Sequence, residues 1–311
     1  MNEPDETVEL AVASVDDAAA MLAVIHQAFA ARPAVEPPAA ALSDTVDDIV
    51  ASLERAPGVL ACIDGEIVGC LLLSLDGRVA GLHRVSVRPD VRQHGVAAVL
   101  VRGAAELAVD LGATRLELLC RKEFPETRQW WEHHGFEVCA TQELGWTMGR
   151  DLPARIEVPT GGSMQALGER LAGLLQAGDV VVASGDLGAG KTTLAQGIGR
   201  GMDVDGPVIS PTFVISRVHH SRSGGPALVH VDAYRLGSEA ELFDLDLDDT
   251  LESSVTLVEW GAGLAEGLGS SVLDIDIRRS ADPDDETRVV YLTGFGERWK
   301  GVDLHALEED A

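Results

Sequence analysis

Lysine and asparagine are almost missing from this chain of 311 residues: Lys122, Lys191 and Lys300 are its lysines, and Asn2 is its single asparagine. A lysine inside a motif therefore stands out. Signatures that need an internal asparagine are excluded, which removes the NKxD guanine-reading motif and the catalytic-loop asparagine of a protein kinase. Basic charge is scarce as well, 24 Lys and Arg against 51 Asp and Glu, for a net −27. The imbalance is shared, with 12 basic and 23 acidic side chains up to residue 150, then 12 and 28 beyond it. Neither half has the basic surface that a free-standing nucleic-acid clamp needs to attract polyanions. Long apolar runs are absent: the longest uncharged stretch, AAAMLAVIHQAFAA, is too short to span a bilayer and carries His26 and Gln27. The first basic residue is Arg32, so the acidic N-terminus reverses the pattern of a secretory leader. Cys62, Cys70, Cys120 and Cys139 make no CxxC pair and no cluster with histidine, and are read as buried free thiols. A soluble cytoplasmic protein with no membrane partner is expected. What is present, 46% hydrophobic residues over a length of two domains, suffices for packed cores and excludes a disordered or collagen-like polymer.

Periodicity organises the chain as α/β throughout. Residues 1–150 read as one mixed unit: a strand at Val8–Ala13, a helix capped by Ser14, a Pro/Ala break from Pro33 to Ala41, and a helix beginning at Ser43. A hairpin follows around Asp64-Gly65, then a strand from Ala80 to Val87, the segment RPDVRQHGVA, and a long helix. That helix is expected to bury Val96, Leu100, Leu107 and Leu111 and to expose Arg102, Glu106 and Asp110. RLELLC, a helix ending at Gly135, and a terminal strand pair complete the unit. A proline-bearing linker is placed at 151–155, a second domain at 156–295, and a frayed tail at 296–311. In the second domain a helix over Ser163–Ala177 precedes the apolar run DVVVAS, which reads as a buried parallel strand.

After that strand, Gly185-Asp186-Leu187-Gly188-Ala189-Gly190-Lys191-Thr192 fits GxxxxGK[ST], with Thr193 next. Glycines let successive backbone N–H groups converge on phosphate oxygens, and the following helix adds its positive N-terminal end. Lys191 would reach the β- and γ-phosphates, and the Thr192 hydroxyl would ligate Mg²⁺. Such a site also needs a carboxylate at the end of a buried strand. Glu259, after VTLV, holds that place; Asp232, after ALVHV, is a second candidate for water positioning or metal contact.

These residues resemble the TsaE family. The resemblance rests on GDLGAGKTT, SPTF (Ser210 to Phe213), HVDAYRL (His230 to Leu236), EAELFDL (Glu239 to Leu245) and LVEW (Leu257 to Trp260), in this order, over roughly residues 156 to 295. It implies a P-loop ATPase needed for threonylcarbamoyladenosine modification of tRNA next to the anticodon, acting on TsaD-like and TsaB-like subunits. It further implies ATP and Mg²⁺ as cofactors, contacts from Gly185, Leu187, Gly188, Ala189, Gly190, Lys191, Thr192 and Thr193, metal ligation by Thr192 and Glu259, and Asp232 as catalytic carboxylate. Thr212 in the SPT segment would sense the nucleotide. Trp260 would pack either near the nucleotide or in the core. Because both halves are acidic, the tRNA is expected to be held only indirectly, through the partner subunits.

The first half is similar to the GNAT acetyltransferase family over roughly residues 8 to 150, through Arg92-Gln93-His94-Gly95-Val96-Ala97 between strand and helix and WEHHGF (Trp131 to Phe136). The implied fold is a mixed central sheet with flanking helices. Acetyl-CoA would bind through Val85 and Val87 of a splayed strand and through Arg92, Gly95, Val96 and Ala97, with transfer to a small amine or a protein N-terminus. Where many members place a proton-donating tyrosine this chain has Trp131, so His83, His133 or His134 would have to substitute. Two other readings compete: a P-loop small-molecule kinase, disfavoured by ten thinly spread arginines in the second half, and a first half that binds acyl-CoA without chemistry.

Overall fold

The structure, a computed structural model, describes residues 8–245, 247–280, 282 and 285–308. The chain divides into two compact units at Leu152/Pro153.

In the first unit, β1 (Glu9–Ala13), α1 (Ala18–Ala30), α2 (Val46–Leu53), β2 (Gly58–Ile63), β3 (Glu66–Asp76) and β4 (Val79–Val87) precede α3 (Val96–Asp110). Then come β5 (Arg115–Arg121), α4 (Pro125–His133), β6 (Glu137–Thr141) and β7 (Gly145–Asp151). The sheet runs β1-β2-β3-β4-β5-β7-β6. Its strands are antiparallel except β4 and β5, which are parallel and pair only where Val79–Gly81 meets Arg115–Glu117. Beyond Gly81 the two strands part, leaving the β5-facing backbone of β4 without a strand partner. A bulge helps to aim β4: the β3–β4 register shifts between Cys70 and Leu72, and opposite it Arg84 takes a left-handed φ of 54°. Asp44 clamps the Arg84 guanidinium at 2.5 and 3.0 Å, and Ser86 Oγ donates to the Arg84 carbonyl at 2.8 Å.

Three expectations for this unit need correction. The helix expected from Ser43 starts after Thr45. Thr45 N and Oγ1 both donate to Asp48, and Asp48 N donates back to Thr45 Oγ1, a reciprocal cap of about 1 kcal/mol that Ser43 cannot form. The buried stripe of α3 is Val96, Leu100, Ala104 and Ala108, whereas Leu111 is 41% exposed, because alanines let the helix approach the sheet closely. Cys70 and Cys120 are buried as free thiols, with pKa values pushed by burial up to about 12 and about 11. Cys139, by contrast, is exposed on β6 and accepts a hydrogen bond from Arg115 Nη2 at 2.7 Å.

The second unit opens on β8 (Ala154–Val158), α5 (Gly161–Ala172), β9 (Val180–Ser184) and α6 (Lys191–Gly201). It continues with β10 (Ser216–His219), β11 (Ala227–Asp232), α7 (Glu239–Phe243), α8 (Asp248–Leu251), β12 (Ser254–Glu259), β13 (Val272–Arg279) and β14 (Arg288–Phe295). The sheet order is β10-β11-β12-β9-β13-β14-β8, with β11, β12, β9 and β13 mutually parallel and β9 at the centre. Val180, Val181, Val182 and Ala183 of β9 are each at most 1% exposed, as a strand covered on both faces requires.

Most of the expected linker is strand. Ala154, Ile156 and Val158 alternate inward on β8 and are at most 1% exposed, so Pro153 and Pro159 bracket an edge strand rather than a spacer. The helix expected over Ser163–Ala177 is capped by Thr160 and stops at Ala172, before Gly173. The expected frayed tail packs instead: Trp299, Leu304 and Leu307 are at most 9% exposed within the same core as β8 and α5. Glu308 accepts from Arg155 N at 3.2 Å, which ties this segment to β8. Among the described residues no helix is long and apolar enough to cross a membrane.

Candidate functional site

The parallel strands of the second unit end together at one edge of the sheet, the position where open α/β sheets carry their ligands. From β9 the chain turns through Gly185–Gly190 into α6. Gly185 has φ 134°, and a Cβ there would lie 2.3 Å from the Ile277 carbonyl oxygen, so no side chain fits. Gly188, at φ 77°, faces open space, and Leu187 beside it is 79% exposed. The Ala189 methyl is buried and its N–H closes a turn onto the Asp186 carbonyl at 3.0 Å. Thr193 is half-buried on the first turn of α6.

Lys191 lies back along this loop, donating to the carbonyls of Gly185 and Asp186 at 2.7 and 3.0 Å. Its ammonium also sits 3.6 Å from the centroid of the Trp260 ring. Burial pushes the ammonium below the usual lysine range, while the carboxylates of Glu259, Asp232 and Asp186 pull the other way. Trp260 is thus a wall of the site and not a core residue. It is half-buried, takes a φ of 62°, donates from its N–H to Ala183 at 3.0 Å, and has Tyr234 5.1 Å away, ring to ring.

Asp232 and Glu259 are register partners at the ends of β11 and β12. Thr192 Oγ1 lies within 3.0 and 3.1 Å of the two Glu259 oxygens. A hydroxyl and a carboxylate together are hard oxygen donors of the kind Mg²⁺ takes alongside phosphate oxygens, so these residues fit that ion. Asp232 Oδ2 accepts from Ser210 Oγ at 2.9 Å and Thr212 Oγ1 at 2.6 Å, and Oδ1 accepts from Tyr234 N at 3.1 Å. The SPT segment is therefore tied to the strand-end carboxylate, while the next residues, Phe213 and Val214, are 87% and 57% exposed. One participant was not foreseen from the sequence. His230, 0% exposed on β11, places Nε2 2.8 Å from Glu259 Oε1. Its signal was the polar pair His230-x-Asp232 on one face of an otherwise apolar strand.

In the first unit the splay brings backbone groups together. A 3₁₀ turn over Pro89–His94 leads to Gly95, at φ 70° with nothing within 4 Å of the position a Cβ would take, and α3 begins at Val96. Free space over a helix N-terminus fits a pyrophosphate. Val96 is fully buried and Ala97 half-buried; the Arg92 side chain lies outside the described part of the structure. Val87 is buried, and the Val85 carbonyl accepts from Arg32 Nη2 at 3.1 Å, with that guanidinium 4.0 Å from the Phe29 ring centroid.

The candidate proton carriers separate. Trp131 is 6% exposed and packs edge-on against Trp130 and Phe136 at 4.8 and 4.9 Å, so it is a core residue. His133, in α4, and His134, at its C-terminal cap, place Nδ1 2.7 Å from the α4 carbonyls of Gln129 and Trp130. His83 differs: it lines a cavity of about 680 Å³ with Asp44, Asp48, Ser74 and Arg84. Its Nε2 is 2.7 Å from Ser74 Oγ. Desolvation, and then the Arg84 charge, hold its pKa below the usual histidine range.

A doubly covered parallel sheet with a phosphate loop after its central strand, preceded by a mixed sheet with one splayed parallel pair, defines a P-loop NTPase domain behind a GNAT fold. Residues 158–289 match the family described as threonylcarbamoyl adenosine biosynthesis protein TsaE, and residues 23–136 match the acetyltransferase (GNAT) family. The tRNA threonylcarbamoyladenosine biosynthesis protein TsaE of Streptomyces coelicolor is 56% identical over 146 residues, 46% of this chain and 99% of that one. The protein of that name from Mycobacterium leprae is 58% identical over 121 residues, 37% of this chain and 75% of its own. A solved PaiA N-acetyltransferase from Thermoplasma acidophilum in complex with coenzyme A aligns at 15% identity and TM-score 0.43, over 47% of this chain and 99% of that one. The chain belongs to the TsaE family, and its first unit is a GNAT domain fused ahead of it.

Proposed function

We propose that the second unit binds and hydrolyses Mg·ATP as the ATPase subunit of tRNA threonylcarbamoyladenosine synthesis in the cytoplasm. It would act on TsaD-like and TsaB-like subunits that hold the tRNA. The observation that carries this reading is the contact of Thr192 with Glu259 beside the phosphate loop. On nucleotide binding Lys191 leaves the Gly185 and Asp186 carbonyls for the β- and γ-phosphates, and the N–H groups of Gly188, Gly190, Lys191 and Thr192 hold the phosphate oxygens. Thr192 and Glu259 would hold Mg²⁺, which when bound would supply positive charge beside those oxygens. Asp232, released by the Thr212 hydroxyl, orients the attacking water. A net charge of −27 keeps the tRNA on the partner subunits. The test is tRNA modification reconstituted with TsaD-like and TsaB-like subunits and threonylcarbamoyl-adenylate. Wild-type protein should support it, and Lys191→Ala and Glu259→Ala should not.

For the first unit the proposal is acetyl-CoA binding in the splay and at Gly95, with an amine or protein N-terminus as acceptor and His83 as the proton carrier. A second reading, a binding module without turnover, is favoured by the burial of Trp131 at the position where a proton donor is expected. Calorimetry with acetyl-CoA followed by an acceptor screen separates the two: binding with no acetylated product, in wild type and His83→Gln alike, supports the module.

A further inference from the structure

We propose that His230 is the positioning residue of the metal-side carboxylate. By donating to Glu259 Oε1 from inside the sheet, it fixes Oε2 toward Thr192 and the divalent cation of the nucleotide site. This rests on the nucleotide-site reading above and extends it by one residue.

The geometry of the three groups carries the inference. The Thr192 hydroxyl lies almost equally far from both Glu259 oxygens, 3.0 and 3.1 Å, so it does not choose between them. His230 does choose, since its contact at 2.8 Å is with Oε1 alone. A carboxylate only accepts, so the His230 Nε2–H is the donor. A glutamate side chain has three torsions to restrict, and a rigid donor bonded to one oxygen leaves a single direction for the other. Groups that bond a metal-ligating carboxylate from behind act in this way.

A simple packing role accounts poorly for an imidazole at this place. Leu228, Val229 and Val231, its neighbours on β11, are apolar and at most 1% exposed, and a leucine would fill the same strand position. Instead the chain buries a polar ring whose Nδ1 has no hydrogen-bond partner among the described residues, an arrangement that costs stability. Position explains the choice. His230 is two residues before Asp232 on the same face of β11, diagonal to Glu259 on β12, so one strand supplies both the water-side carboxylate and the support of the metal-side one.

The test uses the full-length protein and calorimetric ADP binding at varied Mg²⁺, with the unliganded melt as a folding control. His230→Leu should raise the Mg²⁺ needed for half-maximal tightening by about 10–100-fold while leaving ADP affinity in EDTA unchanged. His230→Gln, whose amide N–H reaches the same point, should recover most of that loss. His230→Asn, equally polar but too short, should behave like the leucine variant. Wild-type Mg²⁺ dependence in His230→Leu overturns the proposal, and so does equal impairment of the Gln and Asn variants. Glu259→Gln is the control: if wild-type ADP binding ignores Mg²⁺, or Glu259→Gln retains the response, the nucleotide-site reading itself fails and takes the role of His230 with it.

Discussion

The second unit presents its chemistry as side chains that already touch one another, whereas the first presents backbone. Thr192–Glu259–His230 and Ser210–Asp232–Thr212 form two side-chain groups with contacts of 2.6–3.1 Å on adjacent strand ends, and Lys191 lies beside them on the loop carbonyls. In the first unit the features that fit a ligand are an unpaired strand flank, a glycine at φ 70° and a helix N-terminus. The two units are therefore vulnerable in different places. A single side-chain change should disable the first kind of site, while the second kind should yield mainly to changes that move its backbone.

The strongest way to break that contrast is Asp232→Asn. Loss of the water-orienting carboxylate should lower ATP turnover by about 10²–10⁴-fold with Mg·ADP affinity kept, as read by phosphate release and calorimetry. Full turnover in this variant would place the chemistry elsewhere. Trp131→Ala should show that Trp131 holds up a core and serves no reaction, costing about 3–5 kcal/mol in urea unfolding and leaving nucleotide binding by the other unit intact. Gly95→Val should act through the backbone, since a left-handed φ costs a non-glycine residue about 1–2 kcal/mol. Acetyl-CoA affinity should then fall about tenfold by calorimetry, with ATP turnover unchanged.

The smallest effect concerns pH. His83 and His219 both have pKa values held below the ordinary 6.5 by desolvation. The unfolded chain therefore takes up protons first as pH falls, so their contribution is whole above about 6.5 and declines below it. Urea midpoints should drop between about pH 7.5 and pH 5.5, and replacing both histidines by glutamine should flatten that decline.

How much of this was legible in the sequence follows from the same contrast. A phosphate loop is contiguous, so eight adjacent residues declared it, and strand-end carboxylates declared themselves by following apolar runs. The role of His230 is not legible in the HVDAYRL motif, because its partner lies 29 residues away and only the parallel pairing of β11 with β12 brings them together. The splay was predictable only through family resemblance, since nothing in the composition of β4 or β5 says where their pairing stops. The tail reads as frayed in the sequence because Lys300, Gly301 and Asp303 interrupt its apolar residues, and Trp299, Leu304 and Leu307 make sense only against the core they join.

The most direct test of the account is calorimetry of the full-length protein and Lys191→Ala with Mg·ADP and, separately, acetyl-CoA. The account predicts that wild type binds both, and that Lys191→Ala loses Mg·ADP while binding acetyl-CoA as before. Undiminished Mg·ADP binding by Lys191→Ala would contradict it.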